Sequence, residues 1–195
     1  IATEGYGANQ VGRIYSRAAD LCGALGDGGA LLKVSLGLHG WHFMRGDLGK
    51  ALEIATDCDA IAERGGDALQ RVQAGWSVAI TRFHLGDSHG AVARMDDCLA
   101  AYRADMHRPG TVQNPAVMCL CYSAWARWEM GHADDALYRV RRALAMSQEI
   151  EHKFSLGEAW GFASSIHLFR GEIDAGLECA ERSIQICDES GFTVW

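Results

Sequence analysis

The chain has 195 residues, of which 49% are hydrophobic, and carries a net charge of −7 from 25 acidic and 18 basic side chains. That length bounds one domain of ordinary size with a continuous core, and the acidic balance argues against a nucleic-acid-binding module, which needs a basic face. No apolar run approaches the roughly 20 residues that a bilayer span requires.

The periodicity predicts helices over 9–25, 29–45, 48–64, 68–85, 88–104, 115–130, 133–149, 154–170 and 173–190. No alternating strand pattern longer than a few residues interrupts them. In Leu31, Leu32, Val34, Leu36 and Leu38 the apolar character runs nearly all round, as in a helix packed on both sides. In Ala136, Leu137, Val140, Ala143, Leu144 and Met146 it returns every three or four residues. Arg139, Arg141 and Arg142 form the one dense basic cluster and read as a solvated helix face.

Four short turns recur along the chain: Arg45-Gly46-Asp47, Leu85-Gly86-Asp87, Met130-Gly131-His132 and Arg170-Gly171-Glu172. Their glycines are spaced by 40, 45 and 40 residues. Five residues after each comes a small residue, namely Ala51, Ala91, Ala136 and Gly176. Glycine suits the end of a first helix, where the chain turns into a left-handed conformation. The small residue lets a second helix cross the first closely, and a larger one would overpack the crossing. The register extends upstream, since Gly26-Asp27 matches Gly66-Asp67 at the same offset of 40. Helix 9–25 then reads as the second half of an incomplete unit. The architecture that follows is all-α, a right-handed α-solenoid of helix pairs with a period of about 40 residues. Residues 1–195 read as one helical-repeat domain. Ile1 and Trp195, with no initiator methionine or signal peptide, lead to the expectation of a fragment of a longer protein.

The 45-residue spacing places an insertion in 106–115, which also holds both prolines, Pro109 and Pro115. Such insertions map to loops, and this one is either functional or a plain spacer.

Seven cysteines, an odd number without framework spacing, read as reduced packing residues. His39 and His42 stand three apart on one helix, a metal-compatible spacing, but the register brings no further ligand, so they read as packed or hydrogen-bonded. Cys119-Leu120-Cys121 lacks the spacing of a zinc knuckle. The Arg45-Gly46-Asp47 tripeptide is explained by its three equivalents. Gly46-Asp47-Leu48-Gly49-Lys50-Ala51 has neither the glycine spacing nor the hydroxyl of a phosphate loop. No set of nucleophile, base and orienting acid emerges, so no catalytic residue, cofactor or metal is assigned and the chain is expected not to be an enzyme.

The small-residue pattern resembles the tetratricopeptide repeat, with a longer period than that family's usual 34. A further resemblance covers nearly the whole chain. Its residues are Gly5-Tyr6-Gly7-Ala8 with Tyr15-Ser16-Arg17-Ala18; Leu38-His39-Gly40-Trp41 running into Arg45-Gly46-Asp47; Tyr102, His107-Arg108 and Asn114-Pro115; and His152-Lys153-Phe154-Ser155-Leu156 with Glu189-Ser190-Gly191-Phe192. In these the chain resembles the helical-repeat region of large bacterial signalling ATPases, often fused to class III adenylate or guanylate cyclase domains. That resemblance implies a cytoplasmic regulatory module for signal transduction that follows a nucleotide-binding switch domain and senses a ligand or partner.

One face of each first helix in such a stack lines the concave groove. The register maps Phe43, Trp76, Phe83, His84, Trp125, Trp128 and Phe169 to it as a partner-binding set. Rigid aromatics are enriched at binding hot spots; the competing reading is ordinary core between helices. The expected function is protein or peptide binding, with adjoining domains of the parent chain as further partners. The alternatives are a small-molecule pocket in the groove, closed by 106–115, and an oligomerisation module. Tyr6, Val11, Ile14 and Leu21 at one end, and Ile184, Ile186, Phe192, Val194 and Trp195 at the other, are expected to leave apolar patches that drive a homodimer.

Overall fold

The computed structural model describes residues 7–107 and 113–192. Among them there are nine α-helices and no strand. They are α1 (Asn9–Leu25), α2 (Gly28–Met44), α3 (Leu48–Gly65), α4 (Ala68–His84), α5 (Ser88–Ala101), α6 (Pro115–Glu129), α7 (Ala133–Glu149), α8 (Lys153–Phe169) and α9 (Ile173–Ser190). The chain divides into two compact units, residues 1–94 and 95–195.

The four expected turns share one backbone solution. Gly46, Gly86, Gly131 and Gly171 have φ of 76°, 86°, 85° and 76°. Each glycine N–H bonds the carbonyl three residues back, and the next N–H reaches five residues back, as in Asp47 N to His42 O at 3.0 Å and His132 N to Arg127 O at 2.8 Å. This pairing satisfies the last carbonyls of the first helix and needs a left-handed residue at its centre. In the first two turns the following aspartate also starts the next helix: Asp47 accepts from Lys50 N and Asp87 from Gly90 N.

The small residues lie where the pairs cross. Ala51, Ala91 and Ala136 have no exposed surface. A Cβ on Gly176 would stand 3.0 Å from the Leu168 side chain and 3.3 Å from Ser164 O, and Ser164 Oγ donates to Gly176 O at 2.8 Å.

In the first unit, α2 packs on α1, α3 and α4. Leu32, Cys58, Ala62 and Ala74 form a core flanked by Leu36, Ile54 and Ile61. The Trp41 ring lies over Gly12 and the Tyr15 ring over Gly37, so each helix receives an aromatic where the other lacks a side chain. Trp41 Nε1 donates to Ala8 O at 2.9 Å. His39 is buried, and burial with nearby His42 lowers its pKa to about 4. Thr81 Oγ1 spends its hydrogen on Ser77 O, so it accepts from His39 Nε2 at 2.9 Å. His42 pairs with Asp47 at 3.0 Å.

In the second unit, α7 packs on α6 and α8, α8 on α9, and α6 directly on α8. Val117, Leu120, Val140, Ala143, Ala163 and Ile166 are buried there. The basic cluster divides. Arg141 and Arg142 are exposed, as expected. Arg139 instead turns inward and bonds Asp96 at 2.7 Å, while Arg127 bonds Asp96 at 2.8 Å and Asp135 at 2.5 Å. A helical period places position 139 one turn after Asp135, on the inner side, whereas 141 and 142 swing outward.

Helix α5 ends three residues early. The chain becomes extended at Arg103, then makes a short 3-10 turn at Ala104–Met106. Of the expected insertion, 108–112 lies outside the described residues, Pro109 included. Its far end is pinned by Asn114, which is buried, caps α6 by accepting from Ala116 N and Val117 N, and donates to Tyr102 Oη at 2.8 Å. Asn114 N donates to Ser155 Oγ at 3.0 Å.

The cysteines are free, all buried except the half-buried Cys22. At the chain's ends, Ile14 and Ile184 are each 60% exposed and Leu25 81%, whereas Val11 is buried. Tyr6, Val194 and Trp195 lie outside the described residues.

Candidate functional site

Seven aromatic positions were expected on the first-helix face, and the structure gathers six into local groups. In the first unit, α2 and α4 bring Phe43 edge-on to His84 at 4.9 Å between ring centroids, and Phe83 lies 5.3 Å from His84. Trp76 is half-buried on α4.

In the second unit the α6–α8 seam carries aromatic contacts at two levels. Trp128 of α6 stacks on Phe169 of α8 at 5.6 Å, and Phe169 is 50% exposed. Phe162, two turns before Phe169 on α8, lies 4.3 Å from Trp125 and 4.9 Å from Tyr122, and Tyr122 lies 5.5 Å from Trp125. A flat exposed pair therefore sits beside a more buried trio. Phe162 and Tyr122 are additions to the expected set.

Beside the trio is a cavity of about 210 Å³, lined by Trp125, Gly157, Glu158, Gly161, Phe162, Ser165 and Ser183. Gly157 and Gly161, one turn apart on α8, form part of its wall, and a Cβ on either would approach α9, at Cys187 or at Ser183. Two of its polar side chains are satisfied by helix carbonyls: Ser183 Oγ donates to Gly157 O at 2.8 Å and Ser165 Oγ to Gly161 O at 3.2 Å. The other two are not. Trp125 Nε1 and Glu158 Oε2 are both buried with no hydrogen-bond partner among the described residues.

Glu158 is 3% exposed. Its Oε1 accepts from Gln113 Nε2 at 2.5 Å. Loss of solvent raises the carboxyl pKa to about 8, against a smaller opposing effect from the Gln113 bond. It in turn helps to raise the Tyr122 pKa to about 12, after burial itself. The repeat register marks aromatics on the first-helix face and passes over Glu158. One signal was available: Glu158 is the only formally charged residue between Phe154 and Phe169.

A wider depression of about 700 Å³ lies over α1 and α2, lined by Asn9, Gly12, Arg13, Ser16, Arg17, Asp20 and Trp41. Its charged groups are exposed and solvated. Among the described residues no cluster of three or more ligating side chains could hold a metal ion, and no helix is long and apolar enough to cross a membrane.

The chain matches no family model and no curated protein. Solved structures do resemble it. The nearly identical TPR-like repeats of a Podosopora anserina kinesin light chain align with a TM-score of 0.64 at 14% identity, over 92% of this chain and 86% of that one. A Rap protein complexed with Competence and Sporulation Factor aligns at 0.68 and 14% identity, over 82% of this chain. The Rap conjugation gene regulator of plasmid pLS20, in complex with the Phr* peptide, aligns at 0.64 and 13% identity, also over 82%. The aligned region is 44% of each Rap chain. The fold is thus the all-α, tetratricopeptide-like helical repeat expected from the four turns.

Proposed function

We propose that this chain is a protein- or peptide-binding scaffold and not a catalyst, and that its binding face includes the α6–α8 seam. The observation that carries this is the Trp128–Phe169 stack, which leaves a flat aromatic surface half in solvent beside the exposed Leu168. Two proteins of like fold hold a Competence and Sporulation Factor and a Phr* peptide, and this lends the reading support. The scaffold would serve as the regulatory or sensor module of a larger cytoplasmic signalling protein, of the ATPase and cyclase class that its motifs resemble.

A displayed library of random 12-residue peptides, selected on the whole chain, tests the reading. Trp128→Ala and Phe169→Ala should each weaken a selected peptide at least tenfold, the scale of an aromatic hot spot of about 2 kcal/mol, with circular dichroism unchanged. Selected peptides that bind both variants as well as the parent would refute the placement of the face.

A further inference from the structure

The cavity beside Trp125 asks for a particular chemistry. Two of the residues that line it, Glu158 and Trp125, each carry a buried polar atom, a carboxyl oxygen and an indole N–H, without a partner among the described residues. Buried polar groups are ordinarily satisfied, and each exception calls for an explanation. Among the described residues no lysine, arginine or histidine bears on Glu158; its one polar contact is the neutral Gln113. Once ionised at that depth, the carboxylate needs a cation that the described residues do not supply. The chain's net charge of −7 also favours a cationic visitor.

Size decides between the candidate occupants. Drug-sized ligands occupy roughly 300–1,000 Å³, and about 210 Å³ falls short of that. The space suits one long side chain. An ammonium offers three donors and no acceptor, which matches Glu158 Oε2 and leaves Trp125 Nε1 to seek a carbonyl. The alkyl stem would lie along Trp125 and Phe162, where a cation also gains from the ring faces.

We propose that this cavity anchors one lysine side chain of a bound peptide, with its ammonium on Glu158 and a peptide carbonyl on the Trp125 indole N–H. This rests on the peptide-binding reading above and names what that peptide must contain.

The probe is N-acetyl-lysine N-methylamide, titrated into the whole chain. The readout is the indole ¹H–¹⁵N resonance of Trp125, assigned with Trp125→Phe. The norleucine analogue, which lacks only the ammonium, should bind at least tenfold more weakly. n-Butylamine, which lacks the carbonyls, should also be weaker.

Binding selects the ionised carboxylate. Lysine affinity should therefore rise about tenfold between pH 7 and pH 9, where the ligand's own ammonium stays charged. The other titratable groups facing Glu158 are Cys121 and Tyr122 from α6 and Cys187 from α9. All three are pushed upward by burial, so the profile below pH 9 reports Glu158. In Glu158→Gln, which keeps the shape, lysine binding should drop at least tenfold and its pH response should flatten.

Equal binding of lysine and norleucine probes overturns the proposal. So does affinity that falls with pH, which would assign the cavity to an acceptor such as a carboxylate. n-Butylamine binding as tightly as the lysine probe overturns it in favour of a free amine. Library peptides that need Trp128 and Phe169 but show no lysine preference leave the scaffold reading standing without this one. A lysine probe that shifts Trp125 while no library peptide binds does the reverse.

Discussion

Glu158 also makes the stability of this protein depend on pH in a way that can be measured without any ligand. Its carboxyl moves from an ordinary 4.5 to about 8 in the fold, chiefly through burial. A raised carboxyl pKa means that the folded state binds the proton more tightly than the unfolded chain. The neutral acid is accommodated at low pH, and stability is lost as pH climbs from about 4.5 through about 8. At about 1.4 kcal/mol per pH unit, the loss is on the order of 3 kcal/mol by pH 7 and 5 kcal/mol by pH 9. Glu158→Gln removes the ionisation and keeps an amide that Gln113 can still bond. Urea denaturation of both proteins at pH 5, 7 and 9 isolates the effect, because every other titration cancels in the difference. The variant should be close to the parent at pH 5 and more stable by several kcal/mol at pH 9, with the gap widening between. Parallel curves, with a constant difference at all three pH values, would show that Glu158 reaches solvent or a counter-charge and would remove the electrostatic reasoning.

Three smaller perturbations test the fold. Ala136→Leu inserts a large side chain at a fully buried crossing and should destabilise by about 1–3 kcal/mol; an unchanged denaturant midpoint would mean that the helix pair can spread. Glu151, with φ of 52°, is the only non-glycine residue at positive φ among those described, and it closes α7, the second helix of its pair, with the same two bonds by which the glycines close the first helices. Glu151→Gly should therefore raise stability by about 1 kcal/mol, and a loss would locate a stabilising role in its side chain. Ile14 and Leu25 project from α1 into solvent. If they support a homodimer, sedimentation should show a monomer–dimer equilibrium that Ile14→Ser with Leu25→Ser shifts to monomer; a parent chain that is monomeric at high concentration ends that idea.

The repeat was legible because its determinants are local. A left-handed glycine, a capping aspartate and a small residue five positions on each act within one helix pair, so their spacing alone placed Gly46, Gly86, Gly131 and Gly171 and the buried Ala51, Ala91 and Ala136. Helix α5 resisted this reading: its end is set by Tyr102, held by Asn114 across a twelve-residue separation. Arg139 resisted it too, since only the meeting of α5, α6 and α7 brings Asp96 within reach. The aromatic positions followed from register, but their partners did not. That Trp128 meets Phe169, 41 positions away, while Trp125 meets Phe162 depends on how α6 and α8 are set against each other. The cavity is wholly tertiary. Gly157, Glu158 and Gly161 are unremarkable neighbours in sequence, and a glutamate in a helix is ordinarily solvated. Only the closing of α6 and α9 over α8 removes water from that carboxyl, leaves its second oxygen without a partner among the described residues, and turns one charged residue in an apolar helix into a candidate site.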